Sequence, residues 1–188
     1  MLLILQGCIM SNEKILIVED EEDLVELLRY NLQRESYKVE TATSGSCAIN
    51  KAKEIIPDLI LLDLMLPDID GFEVCRTLKN SPKTCYIPII MVTAKTEEAD
   101  IVSGLEVGAY DYITKPFSPK ILIARIRAVL RRATQVTDND SSTIKIHNIT
   151  IYPQRHEITI NEKPVTLTFT EFNLLLFFVK NAGRKLEG

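Results

Sequence analysis

Five short apolar runs punctuate the first 115 residues: KILIV (14–18), YKVET (37–41), DLILL (58–62), IPIIMV (87–92) and DYIT (111–114). Each is separated from the next by an amphipathic helical pattern, such as Leu24, Leu27, Leu28 and Leu32, or Ile121, Leu122, Arg125, Ile126 and Val129. Consecutive parallel strands need a crossover long enough for a helix, so this alternation predicts a five-stranded parallel sheet wound on both faces by helices. The runs at 14–18, 58–62 and 87–92 are continuously apolar, as expected of central strands buried on both sides.

The pattern stops after Arg132. ATQVTDNDSST has no periodic apolar residue and reads as a linker over 134–143. Beyond it, IKIHNITIYPQRHEITINEKPVTLT alternates apolar and polar residues, with turn signals at Pro153-Gln154 and Asn161-Glu162, and predicts a small antiparallel sheet. A helix follows, with Thr170 as the expected cap, Glu171 at its start and Phe172, Leu175, Leu176 and Val179 facing a core. Leu174, Phe177 and Phe178 form a second apolar stripe on that helix, which calls for covering of its own. The expected organisation is a leader without fixed structure at 1–12, an α/β domain at 13–133, the linker, and a smaller unit at 144–188. There are no internal repeats.

The net charge of −4 is unevenly spread, acidic in the first domain and basic only in the last segment. A phosphate backbone would be repelled by the former and weakly attracted by the latter. No apolar run is long enough to span a bilayer. Cys8, Cys47, Cys75 and Cys85 show no CxxC spacing and too low a density for a disulfide scaffold, so reduced thiols and a cytoplasmic location are expected. The opening MLLILQGCIM lacks the basic start of a signal peptide, and Met10 is the expected functional start.

Ligands of doubly wound sheets bind beyond the carboxyl ends of the strands. There the sequence places Glu19 and Asp20 after the first strand, Asp63 after the third, Thr93 at the end of the fourth and Lys115 after the fifth. Singly, each has a plain structural explanation: an acidic helix start, a turn residue, a strand-end hydroxyl, a solvated charge. Five such residues on one edge make coincidence improbable. Carboxylates that converge repel one another unless a cation joins them, and hard oxygen donors suit Mg²⁺. Lys115 and Thr93 are the donors that a phosphoryl group on a neighbouring carboxylate needs. The implied chemistry is phosphoryl transfer onto an aspartate.

These residues resemble the receiver domain of two-component response regulators, through ILIVEDEEDL, PDLILLDLMLPDIDGFEVC, IPIIMVTA and GAYDYITKPFSPKILIARIRAVLRR. The fold implied is flavodoxin-like. A fainter similarity, carried by VTLTFTEFNLLLFFVKNAGR, is to the winged-helix effector domain of the OmpR/PhoB subfamily. The resemblance implies that Asp63 accepts a phosphoryl group from a sensor histidine kinase. Glu19, Asp20, Asp63 and the Met65 backbone carbonyl would hold Mg²⁺, and Lys115 would pair with the phosphoryl group. Thr93 and Tyr112 would form the switch, the ring turning inward as the hydroxyl is drawn to a phosphoryl oxygen. Such a receiver catalyses only its own phosphorylation and dephosphorylation.

Phosphorylated members of this subfamily pair through the helix before the fifth strand, that strand and the helix after it. Asp111 with Arg125, and Glu106 with Arg127, match positions of cross-interface salt bridges, while Leu105 and Ile123 match the apolar centre. Ile101 and Ile121 stand where an Arg and a Glu commonly pair, and Tyr110 replaces a frequent Asp. The subfamily reads DNA with a recognition helix and wing that follow the last helix seen here, so no base-contacting residue can be named in this sequence. Transcriptional control is the leading functional expectation; the alternative is a receiver acting without DNA, as a phosphate sink or by docking to a protein. An aspartate-nucleophile phosphatase would place a DxD nucleophile on the first strand, which instead ends in EDEED.

Overall fold

Side chains on successive strand residues point to opposite faces of a sheet, and the burial of this chain follows that rule. The structure, a computed structural model, describes residues 13–94, 107–135, 143–153 and 157–180. Strands β1 (Lys14–Val18), β2 (Lys38–Ala42), β3 (Leu59–Leu62), β4 (Ile89–Thr93) and β5 (Asp111–Thr114) pair in the order β2-β1-β3-β4-β5, all parallel. Ile15, Ile17, Leu59, Leu61, Ile90 and Val92 face one side, with Leu28 and Leu32 of α1 (Glu22–Arg34) and Leu122, Ile126 and Val129 of α4 (Pro119–Gln135). Leu16, Val18, Ile60, Leu62, Ile89 and Met91 face the other, with Ala48 and Ala52 of α2 (Gly45–Ile55) and Val74 and Leu78 of α3 (Gly71–Lys79). The predicted doubly wound sheet is present, with β1, β3 and β4 at its buried centre.

Two details differ from the sequence reading. The buried face of α1 is Val25, Leu28 and Leu32, whereas Leu27 is 46% exposed. On α4, Ile121 is 55% exposed and lies outside the core stripe formed by Leu122, Ile126 and Val129.

The second sheet is a meander of β6 (Ile144–Ile146), β7 (Ile149–Tyr152), β8 (Glu157–Ile160) and β9 (Lys163–Val165), antiparallel throughout. Asn161 and Glu162 both adopt positive φ in the β8–β9 turn, as a tight hairpin turn requires. The turn expected at Pro153-Gln154 runs into 154–156, outside the described residues. A turn at His147-Asn148, which the sequence reading did not single out, separates β6 from β7; His147 has φ of 51°. Helix α5 (Phe169–Lys180) packs Phe172 and Leu176 on Ile151 and Ile158, with Leu175 and Val179 alongside.

The cap of α5 is Thr168 rather than Thr170. The Glu171 N–H donates to Thr168 Oγ1 at 3.3 Å, and the Thr168 N–H donates to Glu171 Oε2 at 2.8 Å. This reciprocal pair needs a Thr three residues before the Glu, and Thr170 immediately precedes it.

Candidate phosphoryl-transfer site

In this strand order β2 lies on one side of β1 and β3 on the other, which opens a crevice at the carboxyl ends of β1 and β3. Glu19 and Asp20 follow β1 directly and Asp63 follows β3. Oxygen atoms from all three lie within 4.8 Å of one another. Glu19 and Asp63 are buried and Asp20 is exposed, so the cluster is rooted in the fold and open to solvent on one side.

Lys115, just past β5, bridges the two buried carboxylates. Its Nζ donates to Glu19 Oε2 at 2.7 Å and to Asp63 Oδ2 at 2.7 Å. The backbone sets this reach: the Lys115 N–H donates to the Thr93 carbonyl at 2.8 Å, anchoring the end of β5 to the end of β4. Thr93 itself is fully buried. The Lys115–Pro116 peptide bond is cis.

The two carboxyl groups titrate differently. Burial pushes Glu19 up to about 7, aided by the Asp63 charge and opposed by Lys115. Burial also acts on Asp63, but the Lys115 ammonium and the Met65 and Leu64 N–H groups outweigh it and hold Asp63 below its ordinary value. The Met65 N–H donates to Asp63 Oδ1 at 3.2 Å. The two carboxylates together raise Lys115 above its usual value despite its burial. Near neutrality Asp63 is thus the member of the pair held ionised, while Glu19 holds or releases a proton there.

The loop after β3 is fixed by two residues that the sequence reading passed over. A Cβ on Gly71 would stand 2.4 Å from the Asp63 carbonyl oxygen and 2.6 Å from Leu64 Cα. Glycine lets α3 begin directly against the backbone of Asp63, with the Gly71 N–H donating to the Leu64 carbonyl at 3.0 Å. Asp68 crosses to α2, accepting from the Gly45 and Ser46 N–H groups at 2.7 and 3.0 Å; the Ser46 side chain together with these backbone donors holds its carboxyl well below the usual range. The available signal was the DIDG string between a strand and a helix.

Away from the crevice, Tyr112 is half-buried against the face that carries Leu16 and Met91. Asp111 and Arg125 pair within the chain, Arg125 Nη1 donating to the two carboxylate oxygens at 2.9 and 2.7 Å. Arg127 pairs with Glu35. Ile123 is buried in the core of its own sheet and Ile121 is exposed. Ile101, Leu105 and Glu106 lie outside the described residues, as do the leader and most of the 134–143 linker.

Comparison with known proteins bears directly on this geometry. Residues 15–127 match the response regulator receiver domain. The chain is 46% identical over 182 residues to the alkaline phosphatase synthesis transcriptional regulatory protein PhoP of Bacillus subtilis (strain 168), covering 93% of this chain and 75% of that one. The BeF3-activated N-terminal receiver domain of Klebsiella pneumoniae RstA is 36% identical, with a TM-score of 0.60 over 63% of this chain and 98% of its own. A cysteine-to-serine mutant of RitR is 27% identical, with a TM-score of 0.75 over 89% of this chain and 74% of its own. A single superposition therefore takes in residues well beyond the parallel sheet.

Proposed function

The chain belongs to the response regulator family through its receiver domain, and from that premise we propose that Asp63 is the carboxylate it phosphorylates. It is a phosphorylation-dependent regulator of transcription. The observation that carries the site assignment is Lys115 Nζ at 2.7 Å from both Glu19 and Asp63 in the crevice between β1 and β3.

A sensor histidine kinase is the natural donor. The phosphorus–nitrogen bond of its phosphohistidine breaks as Asp63 Oδ forms a phosphorus–oxygen bond. The leaving imidazole takes a proton from solvent. This chain's own contribution is positioning and charge neutralisation. Gly71 and the Met65 N–H fix the Asp63 carboxylate, Lys115 offers its ammonium to the phosphoryl oxygens, and Thr93 offers a hydroxyl from the adjoining strand end. The clustered hard oxygens of Glu19, Asp20 and Asp63 fit Mg²⁺, with the Met65 carbonyl as a further ligand. Bound there, Mg²⁺ supplies charge neutralisation at the phosphoryl oxygens. The chemistry is confined to the protein's own carboxylate, so the chain turns over no separate product beyond its own phosphorylation and hydrolysis.

The reporting half consists of Thr93 and Tyr112, whose strands are in register at Met91↔Tyr112 and Thr93↔Thr114. Pairing with a second phosphorylated copy through Ile101, Leu105, Glu106, Asp111, Ile121, Ile123, Arg125 and Arg127 is the proposed consequence. Asp111–Arg125 and Arg127–Glu35 are satisfied within one chain, so a dimer would exchange these ion pairs for equivalents across the interface. We read residues 144–188 as belonging to a winged-helix unit, in which DNA contact is made by elements other than the meander and α5. The acceptor assignment is tested by incubating the full chain with a small phosphodonor and Mg²⁺. Labelling is expected in the parent and lost in Asp63→Asn; equal labelling of the two would refute it.

A further inference from the structure

The chemistry proposed for Asp63 depends on where the backbone runs after it, because the Met65 carbonyl is among the oxygens offered to Mg²⁺. The Met65 side chain is 60% exposed and gives that peptide little anchorage. Its position is therefore set by how the segment from Asp63 to Gly71 is held. The Met65 N–H donates to Asp63 Oδ1 at 3.2 Å, and the Gly71 N–H closes the segment on the Leu64 carbonyl at 3.0 Å. Leu64, Leu66 and Ile69 pack into the core face that carries Val18 and Leu62.

Asp68, three residues beyond Met65, ties this segment to a different element. Its Oδ1 accepts from the Gly45 N–H at 2.7 Å and from the Ile69 N–H at 2.8 Å, and its Oδ2 accepts from the Ser46 N–H at 3.0 Å. Gly45 and Ser46 open α2, and the first N–H groups of a helix have no partner inside it. That helix has a cap of its own in Ser44, whose Oγ accepts from the Cys47 N–H at 3.3 Å. Asp68 takes the two preceding donors from 23 and 22 residues away in sequence. The approach is close as well as bonded. A Cβ on Gly45 would stand 2.9 Å from Ile69 Cβ and 2.7 Å from Val74 Cγ2, so glycine is what lets α2 start flush against the segment.

The segment is thus clamped from two sides, by Gly71 against the backbone of Asp63 and by Gly45 and Asp68 at the start of α2. We propose that Asp68 is a positioning residue for Mg²⁺ and phosphoryl transfer, locking the segment onto α2 so that the Met65 carbonyl is held ready for the metal. This rests on the reading of the oxygen cluster given above. A ligand gathered from a loose loop costs ordering free energy when the metal binds, and one already fixed does not. Asp68 acts through the backbone between residues 65 and 68, without itself touching the metal.

Calorimetric titration of the full, unphosphorylated chain with Mg²⁺ tests this. Asp68→Ala should raise the Mg²⁺ dissociation constant about three- to tenfold, less than the effect of a residue bonded directly to a metal ligand. Asp68→Asn, which keeps one accepting oxygen, should fall between Asp68→Ala and the parent. Ser44→Ala removes the helix's own cap, leaves the Asp68 bonds in place, and should stay within about twofold of the parent. Amide hydrogen exchange in the metal-free chain gives a second readout. A peptide covering 64–70 should exchange faster in Asp68→Ala and at the parent rate in Ser44→Ala. An unchanged dissociation constant in Asp68→Ala, unchanged exchange at 64–70, or an equal weakening in Ser44→Ala overturns the proposal and leaves Asp68 a cap of α2. A parent chain that binds no Mg²⁺ defeats the reading of the crevice, and the proposal with it.

Discussion

The two sheets of this chain solve the same packing problem with unequal resources. The parallel sheet buries both faces beneath four described helices, and its central strands have no exposed residue. Among the described residues, the antiparallel meander has one helix, a core of four buried side chains, and a strand, β9, exposed along its length. The first can therefore hold the buried charges Glu19 and Asp63, with the half-buried Lys115 between them, in fixed geometry, because the surrounding packing over-determines them. The second leaves Leu174, Phe177 and Phe178 more than half exposed and seats Phe169 on the receiver. A small sheet with one helix cannot bury enough apolar surface by itself, so it presents surface to neighbours.

The largest expected effect lies in the parallel sheet. Ile60→Ala, at a fully buried position, should cost about 2–5 kcal/mol in denaturant unfolding and reduce phosphodonor labelling with it. Phe172→Ala should melt the meander while leaving labelling in place. Loss of labelling in Phe172→Ala would show that the two units fold as one.

Lys79 gives the next effect, on the order of 3 kcal/mol across its titration. It is buried, with Nζ donating to the Cys85 and Ile87 carbonyls at 3.0 and 2.6 Å, and burial lowers it to about 8 from 10.5. Between those values the unfolded chain holds a proton that the folded chain releases. The Lys79 contribution therefore falls as pH drops from 10.5 to 8 and is restored as pH rises. Burial raises the nearby Cys75 thiol to about 11 and raises Cys85 as well, which gives a slope of the opposite sign. The difference between the parent and Lys79→Met isolates the lysine. That difference should change through pH 8–10.5 and be flat below it. A flat difference throughout would mean that the lysine keeps its proton when buried.

Smaller effects belong to the second unit. Thr168→Ala removes the reciprocal cap of α5 and should cost about 1 kcal/mol, read at the unfolding of that unit alone. Phe177→Ser, on the exposed stripe, should shift stability by no more than about 0.5 kcal/mol in the isolated chain. A large loss there would mean that the stripe is already covered within this polypeptide.

Legibility in the sequence follows the same division. Continuous Ile, Leu and Val runs alternating with helical patterns, and polar residues at the strand ends, announced the parallel sheet and its acidic edge. The cap of α5 was misassigned to Thr170, although the T-x-x-E spacing of Thr168 and Glu171 carried the signal. Lys79 gave no such signal: its acceptors are carbonyls of the segment leading into β4, which only the folded chain brings to it. Gly71 likewise acquires its meaning from the backbone of Asp63, which folds back against it. Tyr110 was visible as a departure from a frequent Asp, but the ring it meets, Phe169, lies across the linker.

The most direct test of the charged crevice is to locate the phosphoryl group. After reaction of the full chain with a small phosphodonor and Mg²⁺, borohydride reduction of the acyl phosphate followed by tandem mass spectrometry should place the modification on Asp63 alone. Modification of Asp20, or of any residue away from the β1–β3 crevice, would contradict the account.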